Sequence, residues 1–242
     1  MSNPSQRLLN LISLLKQCSS KKREITSAEA FAEIFSFDPK DFPSFYDALT
    51  KFTRLPVTIR NAMKLASHDP DLYLKWMPEC ERAVFAVGHG SKVRAFAEAI
   101  NSKIEYGLEI ASDVLERYSP EAEIDLDELE TIRTDVIDLI NKIKKSSVHD
   151  ELRVYLMGHL LSLDEAIRFY QILGPSAIRQ SLQAVFGSAC TDSELAKASD
   201  AIEEGQRFWD VVGRTAQLMQ IGWVGLQIVD KVIPGFLSGN AP

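Results

Sequence analysis

The sequence predicts an all-α protein, an up-and-down bundle of long helices that follows an N-terminal subdomain of short helices. Apolar residues recur every three or four positions along most of the chain, which is the spacing of a buried helix face. Strand-like alternation is nearly absent, and short polar segments of the kind that join antiparallel helices separate the periodic stretches. A chain of 242 residues with 45% hydrophobic composition is long enough to bury its own core.

The N-terminal subdomain is predicted to cover residues 1–87. Asn3 and Pro4 have the residue types of a helix cap and a first helical position, so a helix is expected from Ser5 to Cys18, and Ser27 begins a second, short helix. Because proline lacks an N–H and clashes with the preceding turn, the roughly forty residues that follow are expected to divide into brief helices. The prolines are Pro39, Pro43, Pro56, Pro70 and Pro78.

Aromatic side chains are concentrated in this same subdomain. They are Phe31, Phe35, Phe37, Phe42, Phe45, Tyr46 and Phe52. One interpretation is an aromatic groove that binds a helix of a partner protein, and the other is ordinary core packing.

The second predicted domain covers residues 88–242 and contains the long helices. Ser91 is expected to cap a single helix from Lys92 to Tyr118, which at 1.5 Å per residue would be about 40 Å long. Gly107 lies inside this segment and costs about 1 kcal/mol relative to alanine, so we expect close packing or a bend there. Further helices are predicted after a cap at Asp125, from Asp150 to Leu173, from Ser176 to Phe186 with Gly187 closing it, and after Thr191.

The C-terminal part of this domain is predicted to be an apolar, amphipathic helix. Residues 215–229 carry no formal charge, but this stretch of fifteen residues is shorter than the roughly 20 that span a bilayer. Three roles stay open for the helix: a central helix of the bundle, an interface with a protein partner or a second copy, and a peripheral membrane anchor. Its predicted contact residues are Leu218, Ile221, Trp223, Leu226, Ile228 and Val232.

Composition and motifs argue against several functional classes. A net charge of -7 disfavours nucleic-acid binding, which needs an extended basic face. Three widely spaced cysteines and the lack of a secretory layout at the start favour a reducing, cytoplasmic location. Cys80 lies between two glutamates, whereas a reactive thiolate needs nearby positive charge. The common nucleotide, hydrolase and zinc motifs are absent from the sequence, so we predict no catalytic residue, cofactor or metal site.

One histidine, His89, gives an alternative to a protein without a catalytic or binding site. His89 lies between two glycines and just before Ser91, where a helix start could hold an anion; a flexible hinge between subdomains is the other interpretation. An enzyme with an uncommon site near His89 is therefore kept as an alternative. His159 is interpreted as a satisfied core or edge histidine within the third long helix.

Residues 124–188 resemble uncharacterised bacterial all-helical proteins that end in a hydrophobic helix. The resemblance depends on an acidic opening, IDLDELETI, a lysine-rich close, INKIKKSS, and the segments DELRVYLMGHL, EAIRFYQILG and AIRQSLQAVFG. It implies a bacterial origin, and through that setting a role in defence or toxin control. Taken together, we predict a non-enzymatic, cytoplasmic module for protein–protein interaction. The alternative is a conditional membrane-acting effector that contacts the inner membrane peripherally through its C-terminal helix.

Overall fold

The computed structural model describes residues 3–121 and 124–220, and within these ranges the chain forms helices and no strand. The predicted all-α class is therefore confirmed. The described residues divide into two compact units: unit 1 holds residues 3–121 and 171–174, and unit 2 holds residues 124–170 and 175–220. The domain boundary expected after residue 87 falls inside unit 1.

The helices of unit 1 are α1 (Pro4–Lys21), α2 (Ser27–Phe35), α3 (Phe42–Ala66), α4 (Pro70–Tyr73), α5 (Met77–Phe85), α6 (Val93–Ala99) and α7 (Ser102–Tyr118). Those of unit 2 are α8 (Leu126–Lys145), α9 (Asp150–Arg168), α11 (Pro175–Thr191), α12 (Ser193–Asp200) and α13 (Glu203–Leu218). The short helix α10 (Tyr170–Leu173) leads into the connection before α11.

The first two helices of unit 1 begin where the sequence indicates. The Asn3 side chain accepts hydrogen bonds from the N–H groups of Ser5 and Gln6, each at 3.1 Å, which satisfies two of the unpaired donors at the start of α1. Thr26 and Glu29 form a reciprocal capping box at the start of α2. The hydrogen bonds from the Thr26 backbone and hydroxyl lower the pKa of the Glu29 carboxyl.

Helix α3 corrects the prediction that prolines divide this region into brief helices. It runs for 25 residues with Pro56 inside it, while Pro43 lies in its first turn, where a missing N–H costs little. Phe45, Phe52 and Ile59 are buried on both sides of Pro56. Burial of each such side chain contributes about 2 kcal/mol, and together these outweigh the roughly 3 kcal/mol that an interior proline costs.

The expected single helix from Lys92 to Tyr118 is in fact two helices, α6 and α7. The chain leaves the helical path at Ile100 and Asn101, and the Asn101 side chain caps α7 by accepting the Ile104 N–H at 3.1 Å. Ile100 and Ile104, on either side of the break, are both buried. The apolar periodicity of the sequence therefore continues across it and does not reveal it. Ser91, the expected cap of α6, lies one residue too early, since Lys92 is the N-cap.

Close packing at Gly107 is confirmed. A Cβ atom at this position would lie 2.2 Å from the indole of Trp76, which is itself buried and donates its N–H to the Tyr73 carbonyl at 2.7 Å. Only glycine therefore lets α7 approach the Trp76 ring this closely.

A buried arginine holds the 171–174 segment within unit 1. The Arg7 Nε donates to the Ile172 carbonyl at 3.0 Å, and its Nη1 pairs with the Glu121 carboxylate at 2.5 Å. Gly174 has a φ of +69°, and a Cβ atom there would lie 2.2 Å from the guanidinium. Glycine is thus required at 174 both by backbone conformation and by this contact.

Unit 2 is a helical bundle in which α9 packs against α8 and α11, and α13 packs against α8. The predicted cap at Asp125 is confirmed, because its carboxylate accepts the N–H groups of Asp127 and Glu128. Helix α9 ends at Arg168 rather than near Leu173. Helix α11 continues through Gly187 to Thr191 instead of ending there, since this glycine lies on the exposed face of the helix, where no close contact depends on it.

Candidate functional site

The aromatic surface of unit 1 consists of Phe42, Tyr46 and His89, which lie beside the buried ring of Phe45. Phe42 and Tyr46 come from the first turns of α3, and each is 53% exposed. The Phe42 ring stacks on the His89 imidazole with centroids 4.4 Å apart, and the Tyr46 ring lies 6.5 Å from the imidazole centroid. Phe45 meets the imidazole edge to face at 5.1 Å. Aromatic contacts on two helix turns and one loop thus form a single surface.

The loop that carries His89 is fixed to the start of α2. The Ser91 carbonyl accepts the Ser27 N–H at 2.8 Å, and the His89 carbonyl accepts the Ala28 N–H at 3.3 Å. The Ser91 hydroxyl accepts the Gly88 N–H at 2.9 Å and lies 2.9 Å from the Ser27 hydroxyl. These contacts anchor the loop. Anion binding by His89 and Ser91 stays a prediction.

The His89 side chain is held by ring packing. Its Nε2 atom is buried and has no hydrogen-bond partner among residues 3–121 and 124–220. A buried polar atom without a partner costs about 1–3 kcal/mol, so the stacked rings must offset this loss. The position of the imidazole is therefore set by Phe42 and Phe45.

The two interpretations of the aromatic cluster apply to different residues. Core packing accounts for Phe31, Phe35, Phe45 and Phe52, which are buried, and the rings of the other three lie 5.4–5.8 Å from that of Phe31. The exposed rings are those next to His89. The sequence does not distinguish the buried rings from the exposed ones, because both kinds of ring recur at helical spacing.

Most of the predicted C-terminal contact residues lie outside the described residues. Leu218 is half-buried near the end of α13. Ile221, Trp223, Leu226, Ile228 and Val232 fall in the part of the chain that is not described. Among the helices within residues 3–121 and 124–220, none combines the length and the apolar character needed to cross a bilayer.

A polar cluster in unit 2 was not anticipated from the sequence. The Ser188 hydroxyl of α11 lies 2.7 Å from Nε2 of His159 on α9. The Tyr155 ring, one turn earlier on α9, packs against the imidazole at 4.9 Å, and the Phe208 ring of α13 lies 6.2 Å from it. The spacing of Tyr155 and His159 places both on one helix face. The partner on α11 is 29 residues away, and no local signal reveals it.

Burial controls the protonation of this cluster. Desolvation lowers the pKa of His159 below its ordinary value of 6.5, and the negative charge of Asp192 acts in the opposite direction. Desolvation also raises the pKa of the Tyr155 hydroxyl, while its hydrogen bond with Ser188 opposes that shift. Both side chains are therefore neutral at pH 7.

A test of this environment is the pH dependence of stability. Because the folded state binds the His159 proton more weakly than the unfolded state, the free energy of unfolding should decrease as the pH falls through about 6.5 and towards the lower, folded-state pKa. His159→Gln should remove this component, measured as the wild-type-minus-variant difference in urea unfolding from about pH 8 to about pH 5. The control is His149→Gln, the same substitution at an exposed histidine just before α9, measured in the same way. A flat wild-type-minus-His159→Gln difference would contradict the assignment.

Neither the Cys80 thiol nor a cleft in unit 1 adds a reactive group. Desolvation raises the pKa of the Cys80 thiol to about 12, and the Glu81 charge adds to the effect, which agrees with the expectation that this thiol is not a nucleophile. A cleft of about 500 Å³ lies between α1 and α7, but its Lys16 is already paired with Glu105 at 2.7 Å. Residues 3–121 and 124–220 contain no cluster of histidine, cysteine and acidic side chains suited to hold a metal.

The described residues thus define an all-α protein of two compact helical units with an exposed aromatic surface. No protein-family model, curated protein or solved structure matches this chain.

Proposed function

We propose that the protein is a helical interaction module that binds a protein partner through the aromatic surface of unit 1. The observation that carries the proposal is the exposure of Phe42 and Tyr46, each 53% exposed although they stack with His89. Aromatic residues supply much of the binding free energy at protein interfaces, and large exposed rings have an unfavourable contact with water that a partner would relieve.

Hydrogen bonds and packing within unit 1 also hold the residues of this surface. The Asp41 side chain caps α3 by accepting the Ser44 N–H at 3.2 Å, and the buried Phe45 anchors the first turn. The loop hydrogen bonds to α2 fix His89. Rings already held in one orientation lose little rotamer entropy on binding, which favours affinity.

The partner that fits this surface is a protein segment with an apolar or aromatic side chain as its anchor. The Phe42 ring, stacked on His89, can contact another ring by offset stacking or edge to face, and it can also pack against an aliphatic side chain. We expect the rings of Phe42 and Tyr46 to supply most of the binding free energy, so the interaction should depend weakly on salt.

The test compares tagged wild-type protein with a Phe42→Ala/Tyr46→Ala variant. Tyr106→Ala is the matched control, since Tyr106 is a 64% exposed aromatic residue of the same unit on α7. Partners captured from native cells should be lost with the double variant and retained with the control. Titration of the purified partner should then show at least about 30-fold weaker binding, which corresponds to about 2 kcal/mol.

Two outcomes would overturn the proposal. One is that the Phe42→Ala/Tyr46→Ala variant still captures every partner of the wild-type protein. The other is a loss of binding that the Tyr106→Ala control shares. Concentration-dependent sedimentation that changes with Phe42→Ala/Tyr46→Ala would instead identify the partner as a second copy of the chain.

The remaining expectations stay predictions. These are the roles of the C-terminal helix as an interface or a peripheral membrane contact, the cytoplasmic location, and the bacterial origin with a role in defence or toxin control. Genomic neighbours and liposome flotation would test them.

A further inference from the structure

The Tyr155–His159–Ser188 cluster of unit 2 has the geometry of an activated hydroxyl. The Ser188 Oγ–H has three acceptors within reach: His159 Nε2 at 2.7 Å, the Val185 carbonyl at 2.9 Å and the Tyr155 hydroxyl oxygen at 3.5 Å. When the proton points to the imidazole, a neutral histidine polarises the hydroxyl in the manner of a general base.

An acyl donor can reach this pair only if both side chains keep some exposure to solvent. His159 and Ser188 are each only partly buried. The residues that precede them are Gly158 and Gly187, and open space lies where either Cβ atom would be. Gly107 and Gly205, by contrast, sit against a Trp76 ring and the Ser199 backbone. Packing within unit 2 therefore does not require glycine at 158 or 187.

We propose that Ser188 is a nucleophilic serine that accepts an acyl group from an activated ester, with His159 as the base. This site lies in unit 2, and the proposal does not depend on the proposed interaction function. The Ser188 Oγ forms a bond to the acyl carbon, and the bond between that carbon and the leaving oxygen breaks. The Oγ proton passes to His159 Nε2 and then to the leaving oxygen, so the imidazole is neutral again at the end.

The experiment uses the full chain and p-nitrophenyl acetate as the probe, with the acetylated residues located and timed by peptide mass spectrometry. Acetylation at Ser188 should be at least about 100-fold faster than at a serine without a base, which is the lower range for general-base assistance. His159→Gln should remove this advantage while the circular dichroism spectrum stays helical. The wild-type rate should rise with pH as His159 loses its proton, with a midpoint below about 6.5.

The matched control is the Ser162–Ser181 pair on the same two helices. These hydroxyls lie 3.2 Å apart, and the pair includes no histidine. Their acetylation should be slow and should not change in His159→Gln. Acetylation of Ser188 no faster than that of Ser162, or a Ser188 rate unaffected by His159→Gln, would overturn the proposal. If His159→Gln fails to fold, the wild-type pH profile and the Ser188-to-Ser162 rate ratio still decide it.

Discussion

Asp164→Ala should lower the free energy of unfolding by about 3–5 kcal/mol, the usual cost of removing one partner from a buried ion pair. Asp164 is 7% exposed on α9 and accepts hydrogen bonds from Arg133 Nε of α8 at 3.1 Å and from Arg168 at 2.8 Å. Arg133 is itself buried, so alanine would leave its guanidinium away from water without this carboxylate. The free energy of unfolding falls mainly because a buried charge is left unpaired, and less because the attraction between Asp164 and Arg133 is lost.

Urea unfolding followed by circular dichroism would measure this loss. Glu130→Ala is the matched control, because Glu130 also contacts the Arg133 guanidinium, at 3.5 Å, but its side chain is 67% exposed. An exposed pair contributes about 0–1 kcal/mol, so the control should change little. Equal effects of Asp164→Ala and Glu130→Ala would show that burial of this network does not contribute to stability as proposed.

Gly205→Ala is expected to destabilise unit 2 by about 3 kcal/mol or more, at or above the upper end of the range for overpacked sites. A Cβ atom at 205 would lie 1.8 Å from the Ser199 carbonyl oxygen, so the backbones of α12 and α13 would have to move apart. The buried Ser199 hydroxyl accepts the Trp209 indole N–H at 2.8 Å, and this hydrogen bond would be disturbed by the same movement.

Thermal unfolding would compare Gly205→Ala with Gly158→Ala. Gly158 also lies within a helix, but nothing surrounds its Cβ position, so alanine there should stabilise the helix by about 0.5–1 kcal/mol. The two substitutions are chemically identical and should shift the melting temperature in opposite directions. A Gly205→Ala protein as stable as wild type would contradict the close approach of the two helices.

Local signals predicted the helix starts well. Asn3 and Asp125 each cap the helix that the sequence assigns to them, because a cap depends on hydrogen bonds to N–H groups only two or three residues away. The same local reasoning was wrong at Pro56, where α3 continues through its proline because the helix face is buried on both sides of it. It also missed Asn101, whose side chain caps α7 and separates this helix from α6.

The candidate sites were less predictable than the helices. Phe42 and Phe45 have similar sequence surroundings, yet one is half exposed and the other fully buried, since only the position of α3 against its neighbours distinguishes them. His89 was identified as unusual from its flanking glycines, but its stacking on Phe42 requires the folded loop. The pairing of His159 with Ser188 joins two helices that no spacing rule connects.

The sequence by itself therefore determined the all-α class, the starts of α1, α2, α8 and α9 and the lack of common catalytic motifs, because these follow from periodicity and from contacts within about four residues. The tertiary structure alone decided which aromatic rings face solvent, which glycines permit close helix packing and which polar side chains meet. Those properties depend on contacts between residues far apart in the chain, and their free energies come from burial and packing rather than from local conformational preference.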